Sequence, residues 1–312
     1  MKDQFGREIS YLRISVTDRC NFRCKYCIGD DGVDLLKHED ILSYEEIKEI
    51  AEICADFGIK KIRVTGGEPF VRRGLLNLFE MLTKIDGIED IGVTTNGSKI
   101  YDKLERLREL GIKRINFSLD TLDRDKFRQI TKVDCLNEVK KSINKALELG
   151  FRVKINTVLI KGFNDKEVDD FISLTKDRDL EVRFIELMPI GKDLDFDREN
   201  FMEVSSLLKN YSYEDLSYDG VARIYKIDTY KGRVGLISPL SHKFCTSCDK
   251  IRLTSDGKIK ACLHSKEEIR LKGLSREEKI ETIKRAIFSK PKRHYLNNKG
   301  SESLRSMSSI GG

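Results

Sequence analysis

Leu12-Arg13-Ile14-Ser15-Val16-Thr17-Asp18-Arg19-Cys20-Asn21-Phe22-Arg23-Cys24-Lys25-Tyr26-Cys27 carries a β-branched run straight into three cysteines within eight residues. Period-two alternation packs Leu12, Ile14 and Val16 to one side and turns Arg13 to the other. Working outward, five more short strands are expected at Lys61–Thr65, Ile91–Thr94, Arg114–Leu119, Arg152–Ile160 and Val182–Leu187, with the first at Tyr11–Val16. Charged amphipathic helices alternate with them near Ser43–Phe57, Gly74–Lys84, Asp102–Leu110, Leu136–Leu149 and Asp165–Lys176. Ser43-x-x-Glu46 reads as a capping box, and Gly58, Gly111 and Gly150 sit where left-handed helix terminators belong.

This alternation means a parallel sheet with right-handed crossovers. Six strands are too few to close an eight-stranded barrel, so a doubly wound sheet and an incomplete barrel both fit the pattern. The unusual residues decide between them. Cys20, Cys24 and Cys27 follow the first strand, Gly66-Gly67-Glu68-Pro69 the second, Thr95-Asn96-Gly97 the third and Asp120 the fourth. Barrels gather their sites on that carboxyl-end rim. The expected fold is α/β, an incomplete (βα)6 TIM-like barrel over 1–220. An extension over 221–312 carries antiparallel strands at Ala222–Thr229 and Val234–Ser238, and a charged helix from Ser275 to about Ile287. A short helical segment is expected after Asn200, and a flexible tail after Lys290.

The chain has 312 residues, 39% of them hydrophobic, and a net charge of +6 from 58 Lys plus Arg against 52 Asp plus Glu. Sparse Gly and Pro (22 and 4) exclude collagen and disorder. No apolar run spans a membrane, the amino terminus lacks a secretory pattern, and no nucleic-acid reader motif is present. A cytoplasmic protein is expected. There, eight cysteines are thiols rather than disulfides. Cys54 has the spacing of a helical core residue, and Cys135 stands apart.

The other six form two triplets, Cys20/Cys24/Cys27 and Cys245/Cys248/Cys262. Zinc would need a fourth ligand, His38 for the first or His242 or His264 for the second. Two [4Fe-4S] clusters, each with one open iron, explain three ligands better.

Cys20-x3-Cys24-x2-Cys27 with Tyr26, together with Gly66-Gly67-Glu68-Pro69, resembles the radical S-adenosylmethionine (SAM) enzymes. Cys245-x2-Cys248-x13-Cys262 after Gly235-Leu236-Ile237-Ser238 narrows the resemblance to the GTP 3′,8-cyclases of molybdenum-cofactor biosynthesis. Leu12 to Cys24, Arg63 to Pro69, Thr94-Thr95-Asn96-Gly97, Asn116 to Asp120, Arg183-Phe184-Ile185-Glu186 and the terminal Gly311-Gly312 are similar too. The resemblance runs from about Gly6 to Gly312.

It implies a first cluster that reduces SAM to a deoxyadenosyl radical, abstraction of the ribose 3′ hydrogen of GTP, and ring closure at guanine C8. It implies Tyr26, Gly67, Ser118 and Met188 at SAM, and Arg13, Lys61, Arg63, Thr94, Lys154, Lys250 and Arg252 at GTP. Arg183, Gly311 and Gly312 are implied as catalytic; Arg183, on a buried strand, needs an anion, a ligand or Glu186. The implied partners are a ferredoxin or flavodoxin as electron donor and cyclic pyranopterin monophosphate synthase as recipient of the product, with a homodimer as one option. Lys250 stands where the family carries Arg, and the chain is short around Gly29–Leu42. The competing readings are a two-cluster radical SAM enzyme acting on a peptide or other substrate, and a zinc-bearing binding protein.

Overall fold

A computed structural model describes residues 1–28, 34–190, 198–294, 296, 301–303 and 305–311. Six parallel strands come first: β1 (Tyr11–Ser15), β2 (Lys61–Thr65), β3 (Asp90–Thr95), β4 (Arg114–Ser118), β5 (Arg152–Leu159) and β6 (Leu180–Glu186). Between them run α1 (Tyr44–Asp56), α2 (Leu75–Thr83), α3 (Leu104–Glu109), α4 (Arg124–Thr131), α5 (Leu136–Glu148) and α6 (Val168–Ser173). Then come β7 (Tyr213–Asp219), β8 (Ala222–Ile227), β9 (Arg233–Ile237), β10 (Lys250–Leu253), β11 (Lys258–Lys260), β12 (Ile269–Arg270), α7 (Arg276–Phe288) and α8 (Met307–Ile310).

The strands form one sheet, ordered β12-β11-β10-β1-β2-β3-β4-β5-β6-β9-β8-β7. β10 pairs parallel to β1, and β9 parallel to β6. The six-stranded barrel therefore gains a parallel strand on each flank from the carboxyl-terminal third, and antiparallel strands lie only beyond them. Side chains from both flanks line one cavity, so the sheet curls around it.

Local chemistry explains the elements. Ser43 and Glu46 form both hydrogen bonds of the capping box, and Ile47, Ile50, Ala51, Ile53 and Cys54 are the buried face of α1. Gly58, Gly111 and Gly150 take φ of +89°, +82° and +73°. Leu12, Ile14 and Val16 are fully buried outside the barrel, as β1 requires for Arg13 to face inward.

Two elements were unread and two expectations change. α4 was not read from sequence; it is short and charged, started by Asp123 accepting from the Lys126 amide at 2.9 Å. β7 is exposed along its whole length, so it shows no alternation. After Asn200 the chain forms turns through Val204–Tyr211 rather than a helix, anchored by buried Val204 and Leu208. The tail after Lys290 is not loose in its described parts. Lys290 is buried with Nζ donating to the carbonyls of Lys250 and Ala261, and Ser308 and Ile310 are buried in α8. Gly312 lies outside the described residues, as does part of the shortened loop, at 29–33.

Ile251 of β10 is fully buried and registers with Leu12. Ile251→Ala is expected to cost about 2–4 kcal/mol in urea unfolding. A loss below about 0.5 kcal/mol would show that β10 does not share the barrel core.

Candidate functional site

The first cysteine triplet and the Gly-Gly-Glu-Pro turn are built against each other. Gly67 donates its amide to the Thr17 carbonyl at 2.7 Å, and Glu68 to that of Arg19 at 2.9 Å. A Cβ on Gly66 would stand 2.7 Å from the Thr17 oxygen, and one on Gly67 2.2 Å from the Arg19 oxygen. The glycines thus let two loops touch. Glu68 is extended at φ −115° and ψ 115°, as the residue before a proline is biased to be. Its buried carboxylate accepts from the Phe70 amide (3.0 Å), Thr95 Oγ1 (2.8 Å) and the Asn96 amide (2.6 Å). Asn96 Nδ2 in turn donates to Asn21 Oδ1 at 3.0 Å. One acid therefore ties the ends of β2 and β3 to the cysteine loop.

Burial pushes all three thiols up; Cys27 and Cys20 raise Cys24 further, and Cys27 reaches about 12. Three half-buried thiols, two of them further opposed by their cysteine neighbours, become thiolates when a cationic centre binds them, so the donor set suits a metal cluster. Tyr26 donates to Asp120 Oδ2 at 2.7 Å, and Asp120 Oδ1 accepts from the Val158 amide at 2.9 Å. Burial raises Asp120 to about 6. Ser118 closes β4 and Met188 follows β6.

Inside the barrel the register sets cations side by side. Arg13 pairs in register with Arg252 on one side and Arg63 on the other, and Tyr11 with Lys250 and Lys61. Arg13, Lys61, Arg63, Lys154, Arg183, Lys250 and Arg252 all line one cavity of about 270 Å³. Burial, then Arg13, presses Arg252 down to about 9. That direction marks a site short of anions, since a guanidinium stays protonated at neutral pH. Tyr11 accepts from Arg63 Nε at 3.0 Å; burial raises its pKa, but Arg63, Arg13 and Lys250 outweigh burial and bring it to about 8. Lys250 departs from the expected geometry, with Nζ 2.5 Å from Asp249 Oδ1 and 5.1 Å from the Tyr11 ring centroid.

Thr94 does not line the cavity itself but registers with Asn116, which does. Thr94 Oγ1 and the Asn156 Oδ1 of the cavity wall are buried without a hydrogen-bond partner. The Thr94 hydroxyl can donate to an anionic ligand, whereas the Asn156 oxygen only accepts and calls for an N–H or O–H of a ligand. Arg183 does have an anionic partner, but not Glu186. It pairs with Glu181 and, at 2.6 Å, with Asp219. Glu186 is spent on the amides of Leu240 and Ser241 and on the Ser241 hydroxyl.

Cys245, Cys248 and Cys262 line the same cavity as the cations. Burial opposes the Cys248 thiolate, but Lys290, the Lys250 amide and the Lys250 ammonium lower its pKa. His264 is buried against His294, ring centroids 4.7 Å apart, and is pushed down to about 3 by burial and then His294. Its Nδ1 faces Ser301 Oγ at 3.2 Å. His38 and His242 are exposed. Among the described residues no three Cys, His, Asp or Glu side chains gather around a single ion, with or without these histidines. Gly311 packs between the barrel strands: Arg252 Nη1 donates to its carbonyl at 2.5 Å, and a Cβ there would stand 2.1 Å from Thr65 Oγ1.

Tyr11, Gly92, Asn116, Asn156, Glu181 and Asp219 were missed as site residues. Alternation with Arg13 signals Tyr11, and alternation along β4 and β5 signals the asparagines. Gly92 is a glycine inside a strand, a mark of close approach: a Cβ there would sit 2.3 Å from Arg63 Nη1. Asp219 had no such signal.

Burial raises Glu68 from 4.5 to about 7. An acid with a raised native pKa contributes stability below its unfolded value and loses it as pH climbs through the native one. The stability of the cluster-free protein relative to Glu68→Gln should fall between about pH 5 and pH 8 in urea unfolding. A flat difference would mean that Glu68 is ionised throughout.

Residues 14–175 match the Radical SAM superfamily, and residues 180–296 match Molybdenum Cofactor Synthesis C. A GTP 3′,8-cyclase of Alkaliphilus metalliredigens (strain QYMF) is 47% identical over 320 residues, covering 100% of both chains. One of Clostridium perfringens (strain 13 / Type A) is 43% identical over 323 residues, again covering 100% of both. Among solved structures, native anSMEcpe with bound AdoMet aligns at TM-score 0.59 and 13% identity, covering 86% of this chain and 79% of that one. Streptococcus suis SuiB bound to S-adenosylmethionine aligns at 0.58 and 15%, covering 85% and 63%. Those two likenesses show the fold, while full-length identity above 40% shows the family. The chain belongs to the GTP 3′,8-cyclase family of the radical SAM superfamily.

Proposed function

We infer that this chain is a lyase that converts GTP, with SAM and two [4Fe-4S] clusters, to (8S)-3′,8-cyclo-7,8-dihydroguanosine 5′-triphosphate, the first step of molybdenum-cofactor biosynthesis. The observation that carries this reading is one cavity lined both by nine Lys and Arg residues, Arg114 and Lys290 besides the seven named above, and by the second cysteine triplet. A nucleoside triphosphate matches both: its phosphates meet the cations and its base the cysteine end.

Cys20, Cys24 and Cys27 would hold the first cluster, and Cys245, Cys248 and Cys262 the second. When bound, the first supplies the electron that cleaves SAM, and the second an iron site for the guanine. Tyr26, Gly67, Ser118 and Met188 are assigned to SAM; of these, Met188 also lines the cavity. Tyr26, hydrogen-bonded to Asp120, is fixed in orientation. Arg13, Arg63, Arg252, Lys61, Lys154 and Lys250 neutralise the triphosphate, and Thr94 Oγ1 offers an unused hydroxyl beside them. Arg183, Gly311 and Gly312 are assigned to the reaction itself. For Gly311 the support is its carbonyl on Arg252 and its position against Thr65 of β2, which set the Arg252 guanidinium.

The core is placed at 1–220 and the second-cluster domain at 221–312. A ferredoxin or flavodoxin is the proposed donor, cyclic pyranopterin monophosphate synthase the proposed recipient, and a homodimer the proposed assembly. No helix among the described residues is long and apolar enough to cross a membrane. Cysteines kept for cluster ligation rather than disulfides suit the cytoplasm as the compartment.

Anaerobic incubation of the reconstituted protein with dithionite, SAM and GTP should yield deoxyadenosine and a GTP isomer of unchanged mass. Deoxyadenosine without the isomer would overturn GTP as substrate. Cys262→Ser should keep SAM cleavage within about twofold and lose most of the isomer; equal loss of both would contradict separate roles for the two triplets. Gly92→Ala displaces the Arg63 guanidinium, and should raise the KM for GTP about tenfold with a smaller change in kcat. An unchanged KM would remove Arg63 from the phosphate site.

A further inference from the structure

Two cations of the cavity, Lys154 assigned to the triphosphate and Arg183 assigned to the reaction, are already engaged. Asp219 Oδ2 lies 2.5 Å from Lys154 Nζ and 2.6 Å from Arg183 Nη2, while Glu181 lies 3.3 Å from Lys154 Nζ and also pairs with Arg183. Two carboxylates thus balance two cations where a polyanion is to bind.

The two acids are not equivalent. Glu181 is buried on β6, locked into the sheet by its pairing with β5. Asp219 ends β7, an edge strand exposed throughout, and its side chain is 52% exposed. The β7–β8 pairing breaks register between Asp215 and Tyr218, Ser217 takes φ +70°, and the tip turns at Gly220 with φ +67°. As the edge strand, β7 is held in the sheet by β8 alone, and its register breaks just before the tip. At the tip, a Cβ on Gly220 would stand 3.7 Å from Lys250 Nζ, across the mouth on β10. Asp219 also lines both the barrel cavity and an open cleft at the amino-terminal ends of β4 to β6, where Arg152, Arg178 and Arg233 are exposed. It stands between the reaction cavity and a cationic approach from solvent.

We propose that Asp219 is a placeholder anion and latch: its carboxylate holds Lys154 and Arg183 until a substrate polyphosphate displaces it, and this displacement releases the end of β7 at the hairpin tip from the barrel, while β8 stays paired with β9. The proposal rests on the cavity being the triphosphate site. Lys154 and Arg183 stay paired at every stage, so neither is left as an uncompensated, largely buried charge, which would be costly. Asp219, half in solvent, is the cheaper of the two acids to release, because water takes up its charge. Burial opposes its ionisation, but Lys154 and Arg183 keep the carboxyl well below the usual range, so it is an anion throughout the physiological range.

The test uses the holoprotein, wild type and Asp219→Asn, with inorganic tripolyphosphate and guanosine as separate probes under anaerobic calorimetry. Asn keeps the shape and removes the competing charge. Tripolyphosphate should bind Asp219→Asn roughly three- to tenfold more tightly than wild type, with guanosine affinity unchanged. Hydrogen exchange over 213–227 should quicken in wild type when tripolyphosphate binds. In Asp219→Asn it should be fast already and no longer respond. Equal or weaker tripolyphosphate binding by the variant, with guanosine still bound, overturns the placeholder and leaves the triphosphate site standing. Guanosine binding without tripolyphosphate binding in either protein overturns the triphosphate site and the proposal together. A variant whose exchange over 213–227 matches ligand-free wild type overturns the latch.

Discussion

Three guanidiniums abreast on adjacent parallel strands are the constraint around which this barrel is arranged. Parallel pairing places Arg252, Arg13 and Arg63 in one row, and alternation aims all three into the same interior. Like charges in a confined, partly desolvated space repel, so the fold supplies whatever eases them. Arg63 lies across the bare backbone of Gly92 toward the Asn116 carbonyl oxygen at 3.4 Å, Arg252 donates to the Gly311 carbonyl, and the Tyr11 phenol is drawn toward its anionic form. These neutral or weakly acidic partners orient the row without cancelling its charge, which suits the phosphate role proposed for it.

The chain builds this interior by closing both flanks with strands from its own last third. β10 brings Lys250 and Arg252 beside β1, and the loop before it brings Cys245 and Cys248. β9 seals β6, and the hairpin that follows in the sheet carries Asp219 to the opposite wall. One topological fact therefore joins the second cysteine triplet, the cationic row and the acid that pairs with Lys154 and Arg183 across from it. The first triplet is fixed separately, by the contact between Gly66-Gly67-Glu68 and Thr17–Arg19.

Much of this was legible in the residues. Cys54, the Ser43 cap and the inward Arg13 follow from periodicity and local hydrogen bonding, and each lies as its pattern requires. Lys250-Ile251-Arg252-Leu253 was read as a phosphate-binding sequence and not as a strand, because four residues give too little alternation and the partner strand lies far away along the chain. Asp219 was silent for a similar reason. An exposed edge carries no hydrophobic period, and an aspartate before glycine reads as an ordinary turn. Of the two partners open to Arg183 from sequence, a ligand or Glu186, the second lies three residues on and is excluded by strand geometry. A strand turns that residue to the opposite face, whereas Glu181, two residues back, shares the face with Arg183.

The most direct measurement of the central claim is the position of bound nucleotide in a crystal of the anaerobic holoprotein with GTP. Anomalous scattering from iron would mark both cysteine triplets. The account predicts phosphorus density among Arg13, Arg63, Arg252 and Lys154, with guanine facing Cys245, Cys248 and Cys262. Phosphates outside the curled sheet, or guanine against Cys20, Cys24 and Cys27, would contradict it.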